Sequence, residues 1–197
     1  MTPIDIPVDH TYTSCYCEEN IYLLAKYFLD QPSVKRRWDI FAIFISNATK
    51  MVALWNQRKA AFADVAVVWD YHVILAMRPR SPFVSSAGDP AAQTWVYDYD
   101  TRLGIPCQWR DYVQGTFLDT PDVPVLYQSL FRVIPGEEFL DHFASDRSHM
   151  LSVHPGAEPC YFAEPPVYLP LRGSKATERG VTNNLMSAFV SMARSTD

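Results

Sequence analysis

A thiol, an imidazole and a carboxylate form the smallest set of side chains that makes an activated sulfur nucleophile. This chain offers them in that order: Cys17 in Cys15-Tyr16-Cys17-Glu18-Glu19-Asn20, His72 in Trp69-Asp70-Tyr71-His72, and Asp98 in Tyr97-Asp98-Tyr99-Asp100. Cys17 opens an apolar stripe. Ile21, Leu24, Ala25 and Phe28 follow it at four, seven, eight and eleven residues, the repeat of an amphipathic helix, so the thiol falls in the first turn and on the buried face. Backbone N–H groups of a first turn lack intrahelical partners and can favour a thiolate or receive a developing oxyanion. Glu18 and Glu19 act the other way, because adjacent negative charge raises a thiol's pKa. A cationic partner is therefore required, and His72 is the natural one.

The elements that would position these groups follow from pattern. Ser14 is the expected N-cap of the Cys17 helix, which should end near Asp30, before Gln31-Pro32. Residues 39–46 are apolar on both faces and predict a strand covered on both sides; 47–50 form a turn and 51–55 a returning strand. Residues 65–77 carry one or two strands, with Trp69, Tyr71, Val73, Leu75 and Met77 on one face and Asp70, His72, Ile74 and Ala76 on the other. A long loop over 78–92 leads to a strand over 94–100, with Trp95, Tyr97 and Tyr99 opposite Val96, Asp98 and Asp100. A hairpin centred on Ser85 would set Met77 against Gln93, Ile74 against Val96 and His72 against Asp98. Further on, Trp109, Tyr112, Val113 and Phe117 suggest a short helix interrupted by Gly115, and residues 131–134 a strand. Phe139, Leu140 and Phe143 mark another helix, and Leu185, Phe189 and Met192 a last one capped by Asn183 or Asn184. Residues 1–11 read as a mobile arm and 151–182 as an irregular proline-rich wrap around one domain spanning 1–197.

Composition narrows the function classes. With 17 basic against 22 acidic residues and a formal charge of −5, a phosphate-tracking surface is not expected, so nucleic acid is a poor partner. No apolar run is long enough to span a bilayer, and the first ten residues lack a leader pattern, so no membrane partner is expected. Four irregularly spaced cysteines suit a reducing compartment. A cytoplasmic protein is expected, with the nucleus as a second location. Other site chemistries stay open on these residues. Cys15 and Cys17 with His72 and His149 could form a zinc site, although Cys-x-Cys is an unusual spacing for it. Asp98 and Asp100 share a strand face and could hold a hard cation, yet no glycine-bearing acidic loop follows. Arg147 could pair with a neighbouring acid or contact a substrate.

Six stretches taken together carry a resemblance: Ser14-Cys15-Tyr16-Cys17-Glu18-Glu19-Asn20-Ile21, Phe44-Ile45-Ser46-Asn47, Val68-Trp69-Asp70-Tyr71-His72-Val73, Tyr97-Asp98-Tyr99-Asp100-Thr101, Phe131-Arg132-Val133-Ile134 and Phe143-Ala144-Ser145-Asp146-Arg147-Ser148-His149-Met150. In this order, between about Tyr12 and Met150, they resemble the protein N-terminal glutamine amidohydrolases. The resemblance implies an α+β fold similar to the papain and transglutaminase arrangement, with the nucleophile at a helix N-terminus packed on an antiparallel sheet. It implies a Cys17, His72, Asp98 triad acting without cofactor or metal. The implied reaction turns the N-terminal glutamine of a protein or peptide into glutamate with release of ammonia, feeding an N-degron pathway whose later enzymes are the expected partners. Such an enzyme must hold a free α-ammonium, and by charge Glu18, Asp70 and Asp146 are the candidates. Two other readings are a different papain-like cysteine hydrolase or acyltransferase, and a non-catalytic module that binds peptide N-termini.

Overall fold

A computed structural model describes residues 2–80, 93–118, 122–152 and 158–193. Its centre is a five-stranded antiparallel sheet in the order β6-β5-β4-β1-β7. The strands are β1 (Trp38–Ser46), β4 (His72–Pro79), β5 (Trp95–Tyr97), β6 (Cys107–Gln108) and β7 (Leu130–Pro135). A separate two-stranded ribbon pairs β2 (Val52–Leu54) with β3 (Val67–Trp69), and a second pairs β8 (Leu151–Ser152) with β9 (Cys160–Tyr161). The helices are α1 (Cys17–Leu29), α2 (Pro32–Arg37), α3 (Trp109–Thr116), α4 (Gly136–His142) and α5 (Ser174–Glu178), followed by a π-helical segment, Leu185–Val190. No helix among the described residues is long and apolar enough to cross a membrane.

Both faces of β1 and β4 are buried, which explains their nearly continuous apolar sequences. On one face Ile40, Ala42, Phe44, Val73, Leu75 and Met77 pack with Ile21, Leu24, Ala25 and Phe28 of α1 and with Phe139, Phe143 and Phe189. On the other, Ile43, Ile45, Ile74 and Ala76 pack with Val52, Leu54 and Tyr112. α1 thus lies directly across β4, the strand that begins at His72.

Several expectations are corrected. Ser14 does not cap α1: the N-cap is Tyr16, with no side-chain capping bond. Asn20 instead reaches back from inside the helix, accepting from the Thr13 N–H at 2.9 Å and donating to the Thr13 carbonyl at 2.8 Å. The chain turns into α1 through Cys15 at φ 69°, a left-handed conformation that is strained for a residue with a Cβ. The expected strand after 47–50 does not return onto β1, whose two edges are already taken by β4 and β7; it pairs with β3. α3 runs through Gly115, where a Cβ would lie 3.0 Å from Leu103 Cδ1. Met192 lies beyond the last helical segment; Asn184 is the N-cap residue of that segment, but its side chain accepts from the Ala144 N–H and donates to the His142 carbonyl, and Asn183 Oδ1 accepts from the Leu185 N–H at 3.3 Å. The arm over 1–11 is docked rather than mobile where it is described, because the buried Tyr97 phenol donates to the Ile4 carbonyl at 2.6 Å and accepts from the Ile4 N–H at 3.2 Å. Most of the loop expected over 78–92 falls outside the described residues. The proline-rich stretch has little regular structure apart from β8, β9 and α5.

The β4–β5 ladder pairs Leu75 with Tyr97, Ala76 with Val96 and Met77 with Trp95. This is two residues away from the register expected for a hairpin centred on Ser85. Because side chains alternate with a period of two, a two-residue shift leaves every residue on its expected face.

α5 is held against α4 through Gly173, whose N–H donates to the Phe143 carbonyl at 2.8 Å. A Cβ at this position would collide with the backbone carbonyls of Leu140 and Asp141. Since backbone cannot swing aside as a side chain can, Gly173→Ala should cost about 1–3 kcal/mol or more, read as a lower urea midpoint. An unchanged midpoint would show that this packing is loose.

Candidate active site

Cys17 is the first residue of α1 and half-buried, while His72 and Asp98 are each 1% exposed. His72 Nε2 lies 2.8 Å from Asp98 Oδ1. Asp98 also receives the Tyr112 phenol on Oδ2 at 2.9 Å and the Asp100 backbone N–H on Oδ1 at 2.9 Å. Burial works to raise the Asp98 pKa, but the His72 charge, its hydrogen bond and these further donors outweigh it and hold the carboxyl below its ordinary range. Burial likewise works to lower the His72 pKa, and is outweighed by Asp98 and then Asp100, leaving it above the ordinary value. A buried ion pair is favoured only when its remaining polar atoms are satisfied, and on the carboxylate side three donors supply that. With Nε2 engaged, the ring presents Nδ1, which is buried and has no hydrogen-bond partner among the described residues. Trp69 stacks on the same imidazole at 5.5 Å and 21°.

The thiol meets this strand from the α1 side. A backbone N–H from Val73 favours its ionised form, which puts the His72–Val73 peptide against the sulfur, and Glu18 Oε2 lies 3.8 Å from Sγ. No hydrogen bond joins Cys17 to His72 among the described residues. Burial first, then Glu18, Asp100 and Asp70, push the thiol well above its usual pKa. Cys17, Cys15, Lys59, Trp69, Asp70, Tyr71, Asp100 and Met150 line a cavity of ≈190 Å³. Trp69 packs against the core of Ile43, Ile45 and Ile74 rather than in the α1 core with Tyr71 and Val73, because the ribbon strand ends at Trp69 and β4 starts afresh at His72. Across that break the Ser46 hydroxyl holds the Asp70 carbonyl at 2.7 Å.

The first-turn acids are both fully buried and are handled differently. Glu19 accepts two hydrogen bonds of 2.8 Å from Arg147 Nε and Nη2; Arg147 pairs with Glu19 rather than with Asp146. Glu18 has no such cation. Its Oε2 accepts from the Tyr71 phenol at 2.9 Å, His149 Nε2 lies 3.5 Å from Oε1, and burial pushes its carboxyl up to about 8. Burial also lowers the His149 pKa. Asp70 is exposed at the cavity edge, with Oδ1 accepting from the Tyr71 N–H at 2.9 Å. Asp146 is exposed and outside the cavity lining; its Oδ1 is taken by the Ser148 N–H and the Asn183 amide. It turns the loop that carries Arg147 and does not join the other two candidates.

The donors proposed for zinc do not converge. Cys15 Sγ lies 2.9 Å from Lys59 Nζ and His149 sits on Tyr71 and Glu18. Among the described residues the potential ligand atoms of His72, Asp98 and Asp100 do come within 4.8 Å of one another, but the first two are already bonded to each other. Tyr112, Tyr71 and Lys59 also belong to the site, and none of them stands out as a functional residue from pattern alone. Tyr112 and Tyr71 fall on apolar faces by period, and the available signal was that a fully buried phenol needs an acceptor. Lys59 lies in an irregular segment and carried no signal.

With this geometry in view, the profile of the N-terminal glutamine amidase family matches residues 12–197, past the Met150 limit of the motifs. The chain belongs to that family. Proteins named protein N-terminal glutamine amidohydrolase are similar to it. The Homo sapiens one is 42% identical over 139 residues, covering 71% of this chain and 62% of its own. The Bos taurus one is 42% identical, covering 71% and 61%, and the Arabidopsis thaliana one 35% identical over 183 residues, covering 92% and 75%. The chain thus spans about three fifths of the length of the mammalian relatives.

Glu18 gives a pH signature. Its carboxyl titrates near 8 when folded against an ordinary 4.5, so the folded state binds the proton more tightly. The stability due to this proton is complete below about pH 4.5 and is lost as pH rises through about 8. Wild-type urea midpoints should fall between pH 5 and pH 8 more steeply than those of Glu18→Gln, which cannot ionise. Parallel curves for the two proteins would refute the protonated-Glu18 assignment.

Proposed function

We propose that this protein deamidates the side chain of an N-terminal glutamine of a protein or peptide to glutamate, releasing ammonia. The observation that carries the reading is the buried His72–Asp98 pair at the start of β4, set beside a helix-opening cysteine in a chain of the N-terminal glutamine amidase family. The arrangement of helix, thiol and antiparallel sheet also supports assigning the fold to the papain and transglutaminase type.

Cys17 is the nucleophile. Burial and the surrounding carboxyls disfavour its thiolate, so ionisation depends on the His72 imidazolium as counter-charge. The thiolate attacks the carboxamide carbon, and the negative oxygen that develops is received by the Cys17 backbone N–H, free in the first turn. His72 Nδ1 gives its proton to the departing ammonia, leaving a thioester on Cys17. Water then adds to the thioester as His72 takes its proton, and glutamate leaves with the thiol restored. Asp98 holds the imidazole on Nε2 throughout, fixing which nitrogen exchanges protons; Tyr112 fixes Asp98 in turn. Trp69, stacked on the ring, keeps water from competing for that hydrogen bond. The product carries a new acidic terminus, which fits a step feeding an N-degron pathway in the cytoplasm and nucleus; the four free thiols suit a reducing compartment.

Cys17→Ala should abolish ammonia release from a Gln-leading peptide, while Cys15→Ala keeps most of it, because Cys15 contacts Lys59 and Ser14 rather than the His72 strand. Equal loss in both, with folding intact, contradicts the assignment of the nucleophile.

Substrate choice is the second check. Asparagine's carboxamide stops one methylene short of a thiol fixed in a helical turn, and a displacement of about 1 Å can cost on the order of a hundredfold. On one peptide scaffold, a gain of about one dalton should appear with leading Gln and be essentially missing with leading Asn, acetylated Gln or internal Gln. Comparable rates on acetylated or internal Gln would turn the reading into a general glutamine deamidase.

A further inference from the structure

The cavity beside Cys17 is lined by a buried carboxylate that is not a member of the triad. Asp100 is 5% exposed and lines the same cavity as the thiol. Its Oδ1 receives the Tyr12 phenol at 2.8 Å. Among the described residues it has no ion pair with a lysine or arginine, whereas the buried Glu19 has Arg147. A buried carboxylate is costly unless opposite charge is supplied; the His72 imidazolium is shared with Asp98, and the cavity that Asp100 lines is where a further cation can reach it.

We propose that Asp100 accepts the α-ammonium group of the substrate's first residue, with Tyr12 as its positioning residue. This rests on the deamidation reading above and names the group that would make it specific for chain termini. The other acids are worse placed. Asp70 is exposed and already turned onto the Tyr71 N–H, Glu18 lies behind the thiol under Tyr71 and does not line the cavity, and Asp146 is outside it. Asp100 and the thiol share one cavity of ≈190 Å³, so a group held by the first lies close to the second.

The same placement couples recognition to chemistry. Asp100 is one of the charges that oppose ionisation of Cys17, and a bound ammonium offsets that charge. A terminus carrying its free amine therefore makes the thiolate easier to form, so the amine contributes to the transition state as well as to binding.

The test compares a Gln-leading peptide with the same peptide bearing hydrogen in place of the α-amino group, by kcat/KM for ammonia release. Wild-type protein should prefer the amine by about 10- to 100-fold, the range for a charge-assisted hydrogen bond. Asp100→Asn should lower turnover of the amine-bearing peptide far more than of the other, bringing the preference to within a few-fold. Tyr12→Phe, at a half-exposed position that folding tolerates, should reduce it partway and decides the matter if Asp100→Asn fails to fold. Equal losses on both peptides would assign Asp100 to support of His72 and Asp98 alone and overturn the proposal. Collapse of the preference in Asp70→Asn but not in Asp100→Asn would overturn it in favour of Asp70. Wild-type protein that turns over neither peptide fails the deamidation reading itself, and this proposal with it.

Discussion

Two glutamates in the first turn of α1 are removed completely from water, and the arrangement of the site follows from how each is accommodated. Taking a carboxylate out of water costs several kcal/mol unless it is paired and hydrogen-bonded. Glu19 meets that demand with the two-pronged grip of Arg147, itself in a left-handed conformation, bonded to the Pro166 carbonyl and facing the Tyr168 ring. One ion pair therefore ties the start of α1 to the loop after α4 and to the proline-rich stretch. Glu18 meets the demand by holding its proton, between the Tyr71 phenol and His149. The first turn of α1 is thus anchored on two sides, and Cys17 has little freedom to leave the strand that begins at His72.

The sheet supplies the complementary constraint. β4 is interior, with α1 on one face and the β2–β3 ribbon and α3 on the other. His72 falls on the face away from the α1 core, where Asp98, Tyr112 and Trp69 enclose it. The imidazole and the thiol therefore approach the end of one strand from different sides. An imidazole with Nδ1 unbonded among the described residues and Nε2 on the carboxylate is what such an approach produces.

Much of this was legible from the order of residue types. The period of two put His72 on the face of β4 from which Asp98 reaches it, although the expected strand over 94–100 stops at Tyr97 and Asp98 lies just beyond it; within the paired residues the faces held because parity survives an even shift. The period of 3.6 put Cys17 on the buried stripe of α1. What failed depended on partners distant in sequence. Ser14 looked like a cap, but Asn20 captured the turn by folding back on Thr13. The strand after 47–50 should have returned to β1, but β7 occupies that edge. Trp69 should have joined Tyr71 in the core, but the chain breaks between them. Local pattern sets the face a residue presents; the competition among distant segments sets what it meets there.

The cavity and the polar groups behind it are drawn from widely separated points of the chain: Tyr12 and Cys17 near one end, Lys59, Trp69 and His72 in the middle, Asp100 after them, and Met150 last. During synthesis the thiol emerges long before the strands that would give it a counter-charge. Until β4 and β5 have paired, Cys17 is an ordinary cysteine with acidic neighbours, which disfavour its ionisation. On the proposed reading, the acidic first turn thus keeps the nascent chain chemically quiet, and reactivity arrives only with long-range closure of the sheet.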